Sequence, residues 1–344
     1  MKKAVAILVN DIHLDKSNGE LVKDIFRQLV TLCRKKGCSE IWVGGDVFTN
    51  RSGQPLECLT TWKDILDHLS EMGIQISVIP GNHDKTDADD YRSYLDVYSN
   101  QFLYDTAVCR KVGGKLNVVF VPYFKEEMWL KEWKRADAER DKRLKSILIT
   151  HIGFDGVKNN DGSDVQSSIK PSMFADYDKV LVGHYHNASK LGENVYYTGS
   201  AYQNNYGENI TDKGFTVIYD DASKEFVPSR FPKYIKQTIA ADDKESLQNL
   251  LEKYDGETYD HIRFVFVGKK TDCQKINIAE IQGKYGIDCK FECTEEKEAI
   301  EISESDSVLC YDKKAVIKDF FKFCSDEGIK GAEMRYGVEL VKNI

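Results

Sequence analysis

Short β-branched runs alternate with amphipathic stretches through the first two-thirds of the chain. Ala4–Asn10 is apolar up to its last residue, the pattern of a strand buried on both faces. Over Glu20–Lys35 the apolar positions Leu21, Ile25, Leu29 and Leu32 recur at helical spacing and predict one buried face. Strands follow at Glu40–Gly44 and Gln75–Pro80, with a helix at Leu59–Met72 between them. Asn117–Phe124 and Ser146–Thr150 are two more strands, separated by a long charged helix around Lys125–Leu144. Lys179–Val182, Asn194–Thr198 and Phe215–Tyr219 are late strands with short connections. Strand–helix alternation followed by a run of strands predicts a layered α/β fold, mixed β-sheets flanked by helices.

The pattern changes near Pro228 and Pro232. A strand (Tyr234–Ile239), a helix (Lys244–Tyr254), an apolar strand (Ile262–Val267), a helix (Ile276–Tyr285) and a strand (Asp288–Cys293) predict a small α+β unit. Glu292–Asp306 carries seven acids and one Lys, and reads as a solvated strand edge or linker. The tail segment Lys313–Cys324 gathers Val316, Ile317, Phe320, Phe321 and Phe323, a stripe that is more often core than interface. The expected division is 1–228, 229–305 and 306–344.

With 344 residues, 41% hydrophobic and 30% charged, the chain is neither disordered nor fibrous. No apolar stretch approaches the ~20 residues that span a bilayer. The start, MKKAVAILVNDIHLD, has a short apolar run without a small-residue cleavage site, and reads as a strand in a cytoplasmic protein. Nine scattered cysteines without a C-x-x-C pair point to free thiols rather than to a zinc ribbon. The net charge of −8 lies mostly downstream, where Ala240–Ile344 holds 16 Lys and Arg against 23 Asp and Glu. Action on nucleic acid would then need metal ions, a local basic patch or a basic partner.

Histidine sharpens the picture. Five of the seven histidines stand just after predicted strands, beside other metal-ligand residue types. The clusters are Asp11-Ile12-His13, Gly45-Asp46, Gly81-Asn82-His83-Asp84, Thr150-His151 and Gly183-His184-Tyr185-His186. Each alone occurs by chance in many proteins. Together they converge, because the carboxyl ends of the strands in an open α/β sheet face one crevice. Carboxylate, imidazole and amide oxygen without thiolate suit Mn²⁺, Fe²⁺ or Zn²⁺. Two such ions ~3.5–4 Å apart, bridged by one Asp, clamp a phosphate and generate a nucleophile at neutral pH. His68, within a helix, and His261, far downstream, are expected to be structural.

Asp-x-His, Gly-Asp, Gly-Asn-His-Asp, Thr-His and Gly-His-x-His in this order resemble the calcineurin-like metallophosphoesterase superfamily over residues 11–186. Gly45-Asp46-Val47-Phe48 runs into Thr49-Asn50-Arg51-Ser52 and lacks the Asp-Arg-Gly of protein Ser/Thr phosphatases. Tyr197-Thr198-Gly199-Ser200-Ala201, Tyr206-Gly207-Glu208 and Lys213-Gly214-Phe215 are similar to elements of the SbcD-type nuclease subunits, with the layout of the phage-encoded recombination endonucleases. Ala201 stands where that family commonly has Pro.

The resemblance implies a metallophosphoesterase catalytic domain (1–228), a DNA-facing cap (229–305) and a partner-binding segment (306–344). It implies that Asp11, His13 and His186 bind one divalent metal, that Asn82, His151 and His184 bind a second, and that Asp46 bridges them. Mn²⁺ is the expected ion, with Fe²⁺, Mg²⁺ or Zn²⁺ as the alternatives. His83 would face the scissile phosphate and protonate the leaving oxygen, and Asp84 would orient that imidazole or cap the next helix. Thr49 replaces a second His that some members carry and is a candidate substrate contact. The implied activity is exonuclease on duplex ends and endonuclease on single strands, in DNA repair and recombination. The implied partners are DNA, an SMC-like ATPase of SbcC type and a second copy of the chain, with no membrane.

The charged helix after Phe124 mixes both signs and reads as a solvated face. The loops at Ser17–Asn18 and Asn50–Ser52 are better DNA contacts. Two other classes stay open. One is a phosphatase or cyclic-nucleotide phosphodiesterase on the same metal core, and the other is a non-catalytic subunit that holds DNA ends.

Overall fold

The computed structural model describes residues 2–158, 163–208, 212–254 and 260–294. The chain divides into two units, Met1–Cys293 and Thr294–Ile344. Most of the acidic run after Glu292, the apolar stripe at Lys313–Cys324 and the segment 306–344 lie outside the described residues.

Ten strands and three helices carry the mixed fold as far as residue 197. In order they are β1 (Ala4–Val9), α1 (Gly19–Lys36), β2 (Glu40–Val43), α2 (Leu56–Glu71), β3 (Gln75–Val78), β4 (Phe102–Leu103), β5 (Val108–Val112), β6 (Leu116–Val121), α3 (Glu126–Asp137), β7 (Lys145–His151), β8 (Lys179–Gly183), β9 (Ser189–Leu191) and β10 (Val195–Tyr197). Then come β11 (Gly214–Tyr219) and β12 (Lys224–Pro228). The first sheet has the order β12-β11-β1-β2-β3-β4 and the second β5-β6-β7-β8-β10-β9. β1 to β4 are parallel to one another, as are β6, β7, β8 and β10. The antiparallel pairs lie toward the sheet margins.

Strand periodicity builds the layers. Ala6 and Leu8 of β1 pack with Trp42, Phe120, Ile149 and Leu181 between the sheets, whereas Ile7 and Val9 face the opposite way. That outer face meets Ile25, Phe26 and Leu29 of α1 and Trp62 and Leu66 of α2. The far side of the second sheet packs on Trp129 and Trp133 of α3. The result is helix, sheet, sheet, helix. α1 stops at Gly37, which takes φ 67° and donates its N–H to Arg34 O at 3.3 Å. α3 ends seven residues before the expected Leu144, because Asn117 of β6 grips the backbone of Asp141 from both sides (2.9 and 3.2 Å) and pulls it off the helix axis.

Downstream, β13 (Tyr234–Ala240), α4 (Lys244–Lys253), β14 (His261–Lys269), α5 (Lys270–Cys273), α6 (Ile278–Tyr285) and β15 (Asp288–Thr294) form a three-stranded sheet with its own core of Ile239, Leu251, Phe264, Phe266 and Ile281. Asp243 and Asn277 cap α4 and α6 by accepting the N–H of Ser246 (2.9 Å) and Glu280 (3.2 Å). Among the described residues no helix is long and apolar enough to cross a membrane, and all seven cysteines are free.

Candidate metal centre

The carboxyl ends of both sheets meet at one rim. From the first sheet come Asp11 and His13 after β1, Asp46 after β2, and Asn82 and His83 after β3. From the second come His151, the last residue of β7, and His184 and His186 after β8. The loops after β1 and β2 zip together, with Asp11 N–H donating to Gly45 O (3.1 Å) and His13 N–H to Asp46 O (3.0 Å). Among the described residues five non-glycines have positive φ, and four are in this set: Asp11 (52°), His13 (47°), Asp46 (53°) and His184 (89°). Each such residue costs of order 1–3 kcal/mol unless its surroundings hold it there. The strain turns four side chains inward at once. Gly81 leaves room beside them, since a Cβ there would come 2.1 Å from Asp46 Oδ1.

Two donor sets result. Asp11, His13 and His186 bring one atom each to a common point, and Asp46, His151 and His184 bring another three. Asn82 Oδ1 joins the second set, 3.1 Å from His151 Nε2 and 2.9 Å from His184 Nδ1. Asp46 Oδ2 lies between the sets, 3.2 Å from His151 Nε2 and 3.6 Å from His13 Nε2. His83 also comes within ligand reach of His13 and Asp46.

The residues present fit divalent cations. His13 Nε2 and His186 Nε2 lie 2.9 Å apart, close enough to share one proton or one cation. Asp11 Oδ2 is buried and has no hydrogen-bond partner among the described residues. Burial, with His186 and His83 adding to it, lowers the His13 pKa to about 4 against the pull of Asp46 and Asp11. Burial and the neighbouring His151 lower His184 to about 3. Both imidazoles are then neutral, as ligands must be. His151 behaves otherwise: burial opposes its charge, but Asp46 and Asp11 outweigh that and raise it to about 9.

His83 stands apart, with Nδ1 2.5 Å from Thr49 O and Nε2 3.2 Å from an Arg51 guanidinium nitrogen. Its ring meets that of His13 edge-on at 4.8 Å. Asp84 is fully buried, and its carboxylate accepts N–H groups of Gly81 (2.8 Å), Phe48 (3.0 Å) and Val47 (3.2 Å) rather than meeting the His83 ring. Burial and the nearby Asp46 push its carboxyl up to about 6 against those three bonds. The Thr49 hydroxyl donates to His13 O at 2.7 Å, so this side chain binds the loop and only its carbonyl meets His83.

Glu208 and Lys213 had no role assigned from the sequence. Glu208 Oε1 lies 2.7 Å from His186 Nδ1 and fixes which ring nitrogen faces the centre, and Lys213 supports that carboxylate at 3.4 Å. Both belong to short sequence elements noted above, but nothing in their spacing places a carboxylate behind His186. Arg51 belongs to the Asn50–Ser52 loop that the sequence offered as a DNA contact, but its place beside His83 was not foreseen. His13, Asp46, Asn82, His83, His184 and His186 open into a cleft of about 510 Å³ lined also by Asn18, Arg51, Tyr202, Asn204 and Tyr234.

The sequence profile described as calcineurin-like phosphoesterase matches residues 5–188. Among the relatives, the protein named "Putative phosphoesterase 078R" of Invertebrate iridescent virus 3 is 24% identical over 69% of this chain and 69% of its own length. Exonuclease subunit 1 of Enterobacteria phage T4 is 24% identical over 64% of this chain and 66% of its own. The chain thus spans about two-thirds of these relatives. The crystal structure of Pseudomonas putida nuclease MPE aligns with 56% of this chain and 66% of that one at 14% identity and a TM-score of 0.28, too loose a superposition to carry weight.

Proposed function

Because the chain belongs to the calcineurin-like phosphoesterases, metal-dependent hydrolases of phosphoester bonds, we propose that it is a two-metal DNA nuclease, an exonuclease on duplex ends and an endonuclease on single strands. The observation that carries this reading is the pair of adjacent donor sets, Asp11-His13-His186 and Asp46-His151-His184, beside an open cleft. The likeness to a phage exonuclease subunit favours DNA over a small phosphoester.

In this reading Asp11, His13 and His186 hold one ion, Asn82, His151 and His184 the other, and Asp46 both. The ions, Mn²⁺ before Fe²⁺, Mg²⁺ or Zn²⁺, supply Lewis acidity toward the phosphate oxygens and acidify water near neutral pH. The chain does the rest. With Nδ1–H donating to Thr49 O, His83 keeps Nε2 for the cleft. In this structure Nε2 accepts from Arg51; once that contact opens to substrate, a proton carried on Nε2 would stabilise charge on the phosphate and pass to the leaving oxygen. Arg51, beside Nε2, adds a second positive group. Asp84 positions the loops after β2 and β3, and through them Asp46 and His83.

The reading extends to the assembly. Residues 1–228 form the catalytic domain, 229–305 a cap that faces DNA, and 306–344 the contact with an SMC-like ATPase of SbcC type, in a cytoplasmic homodimer that serves DNA repair and recombination. A basic partner answers the acidity of the chain.

The test is Mn²⁺-dependent degradation of an end-labelled linear duplex and of a circular single strand, by the chain alone and with a candidate ATPase. Wild type cleaves both, while His83→Ala loses about 10²–10⁴-fold in rate and still binds two Mn²⁺ per chain. Loss of one Mn²⁺ in that variant would make His83 a ligand instead. Two bound Mn²⁺ without DNA cleavage, but with turnover of a small phosphodiester, would move the assignment to a small-substrate phosphoesterase.

A further inference from the structure

The rim of the cleft carries an aromatic group that the chemistry above leaves unused. Tyr234 opens β13 and pairs in register with His261, which opens β14. Directly paired residues share a face of the sheet, and here the rings stack with centroids 4.4 Å apart and planes at 23°. Tyr206, from the loop after β10, meets Tyr234 edge-on at 5.0 Å and 85°. Arg263 sits two residues beyond His261 on the same face. Its guanidinium lies 3.9 Å over the Tyr206 ring and is tied to Asp288 Oδ2 at 2.5 Å.

This group is continuous with the metal centre. Tyr234 lines the cleft together with His186, Tyr202 and Asn204. Asn204 Nδ2 is 3.5 Å from His186 Nδ1, and Tyr206 follows two residues later. The Tyr234 N–H donates to Gln203 Oε1 at 3.0 Å, which fixes the start of β13 against that loop. Tyr234 and Tyr206 are half-buried and His261 is exposed, so solvent reaches the stack. Side-chain amides, stacked rings and a guanidinium at the mouth of a phosphate-binding cleft suit a flat, heteroaromatic group carried on a phosphate.

We propose that Tyr234 and His261 form a stacking shelf for an unpaired nucleobase of the strand whose phosphate enters the cleft. The proposal rests on the nuclease reading and narrows it. A base inside a duplex has both faces covered by its neighbours, so the shelf selects a nucleotide that has left the stack, at a frayed end or in a single strand. Stacking on an aromatic face tolerates any base, so the selection is for unpairing rather than for sequence.

The experiment is binding of a single-stranded oligonucleotide to the full chain with Ca²⁺ in place of Mn²⁺. One oligonucleotide carries a single 2-aminopurine, a second an abasic residue at the same place, and the position is scanned. Wild type quenches the 2-aminopurine at one position and binds the abasic strand about tenfold more weakly there. Tyr234→Leu, which keeps bulk but removes the ring, abolishes the quench and the discrimination. Tyr234→Phe keeps both, and His261→Ala, at an exposed site, weakens both. If the aromatics only join the cap to the catalytic sheets, Tyr234→Leu lowers the melting temperature and leaves the quench intact, which overturns the proposal. Degradation of DNA by a wild type indifferent to the abasic residue overturns the shelf alone. No binding of either strand, with no DNA cleavage, overturns the shelf and the nuclease reading together.

Discussion

His186 keeps one ring nitrogen for the cleft because Glu208 occupies the other at 2.7 Å. Glutamine at 208 keeps the shape and loses the charge that makes the imidazole a stronger donor. Glu208→Gln is expected to weaken the Mn²⁺ site that His186 serves about 10–100-fold, read by isothermal titration calorimetry, with the fold unchanged by circular dichroism. An unchanged affinity would show that Glu208 only supports the loop. The same residues mark how far side chains were legible beforehand. Asp11, His13, Asp46, Asn82, His151, His184 and His186 could be named because each sits within a few residues of a strand's end, so a local pattern predicts a shared destination. Glu208 reaches His186 through tertiary folding across 22 residues. Asp84 was legible as an acid beside a histidine, yet its carboxylate satisfies the backbone N–H groups of two loops. Sequence adjacency says nothing about which way a buried carboxylate turns.

α3 docks on the second sheet through Trp129 and Trp133, and Glu132 between them is buried too. Its carboxylate accepts from Arg135 (2.8 Å), Ala107 N (3.0 Å) and Tyr91 OH (3.3 Å). Burial alone would raise its pKa, but the Arg135 and Ala107 bonds outweigh burial and hold it below the ordinary value. A depressed carboxyl stabilises the fold above its unfolded pKa of about 4.3 and loses that contribution as pH falls through the folded value. Glu132→Gln should therefore cost about 1–3 kcal/mol at pH 7, with the gap to wild type closing as pH drops below about 4.3. Urea midpoints across that range measure it, and a gap independent of pH would sink the argument. Elements with strong apolar period were placed to within a few residues, and β4, β5, β9 and β12 were missed. β4 and β9 have two and three residues, too few to show a period. β5, Val-Cys-Arg-Lys-Val, looks solvent-facing, yet its Arg110 reaches across to Glu40 of the other sheet at 2.5 Å. That pairing exists only once the sheets have stacked.

At the scale of the molecule, Asp11 Oδ2, buried and without a hydrogen-bond partner among the described residues, makes the metal-free chain carry a penalty at its centre. Metal bound only by the folded state relieves it. At a concentration 100 times the dissociation constant, one site adds roughly 2.7 kcal/mol, so Mn²⁺ should raise the melting temperature by about 5–10 °C and chelation should reverse the shift. A Mn²⁺-independent melting curve would remove the metal centre from the account. The donors of both proposed ion sites come from both sheets, Asp11 and His13 with His186 in one and Asp46 with His151 and His184 in the other. An ion seated on that seam acts as a rivet, and its affinity works as a vernier for how far one layer has slid over the other. Phe120, packed edge-on against Trp42 at 5.3 Å, keeps the layers aligned, whereas Phe264 fills the separate core of the three-stranded sheet. Alanine at either position removes a buried ring at a cost of about 3–5 kcal/mol. Only Phe120→Ala should loosen Mn²⁺ binding, because only that cavity lets the seam drift.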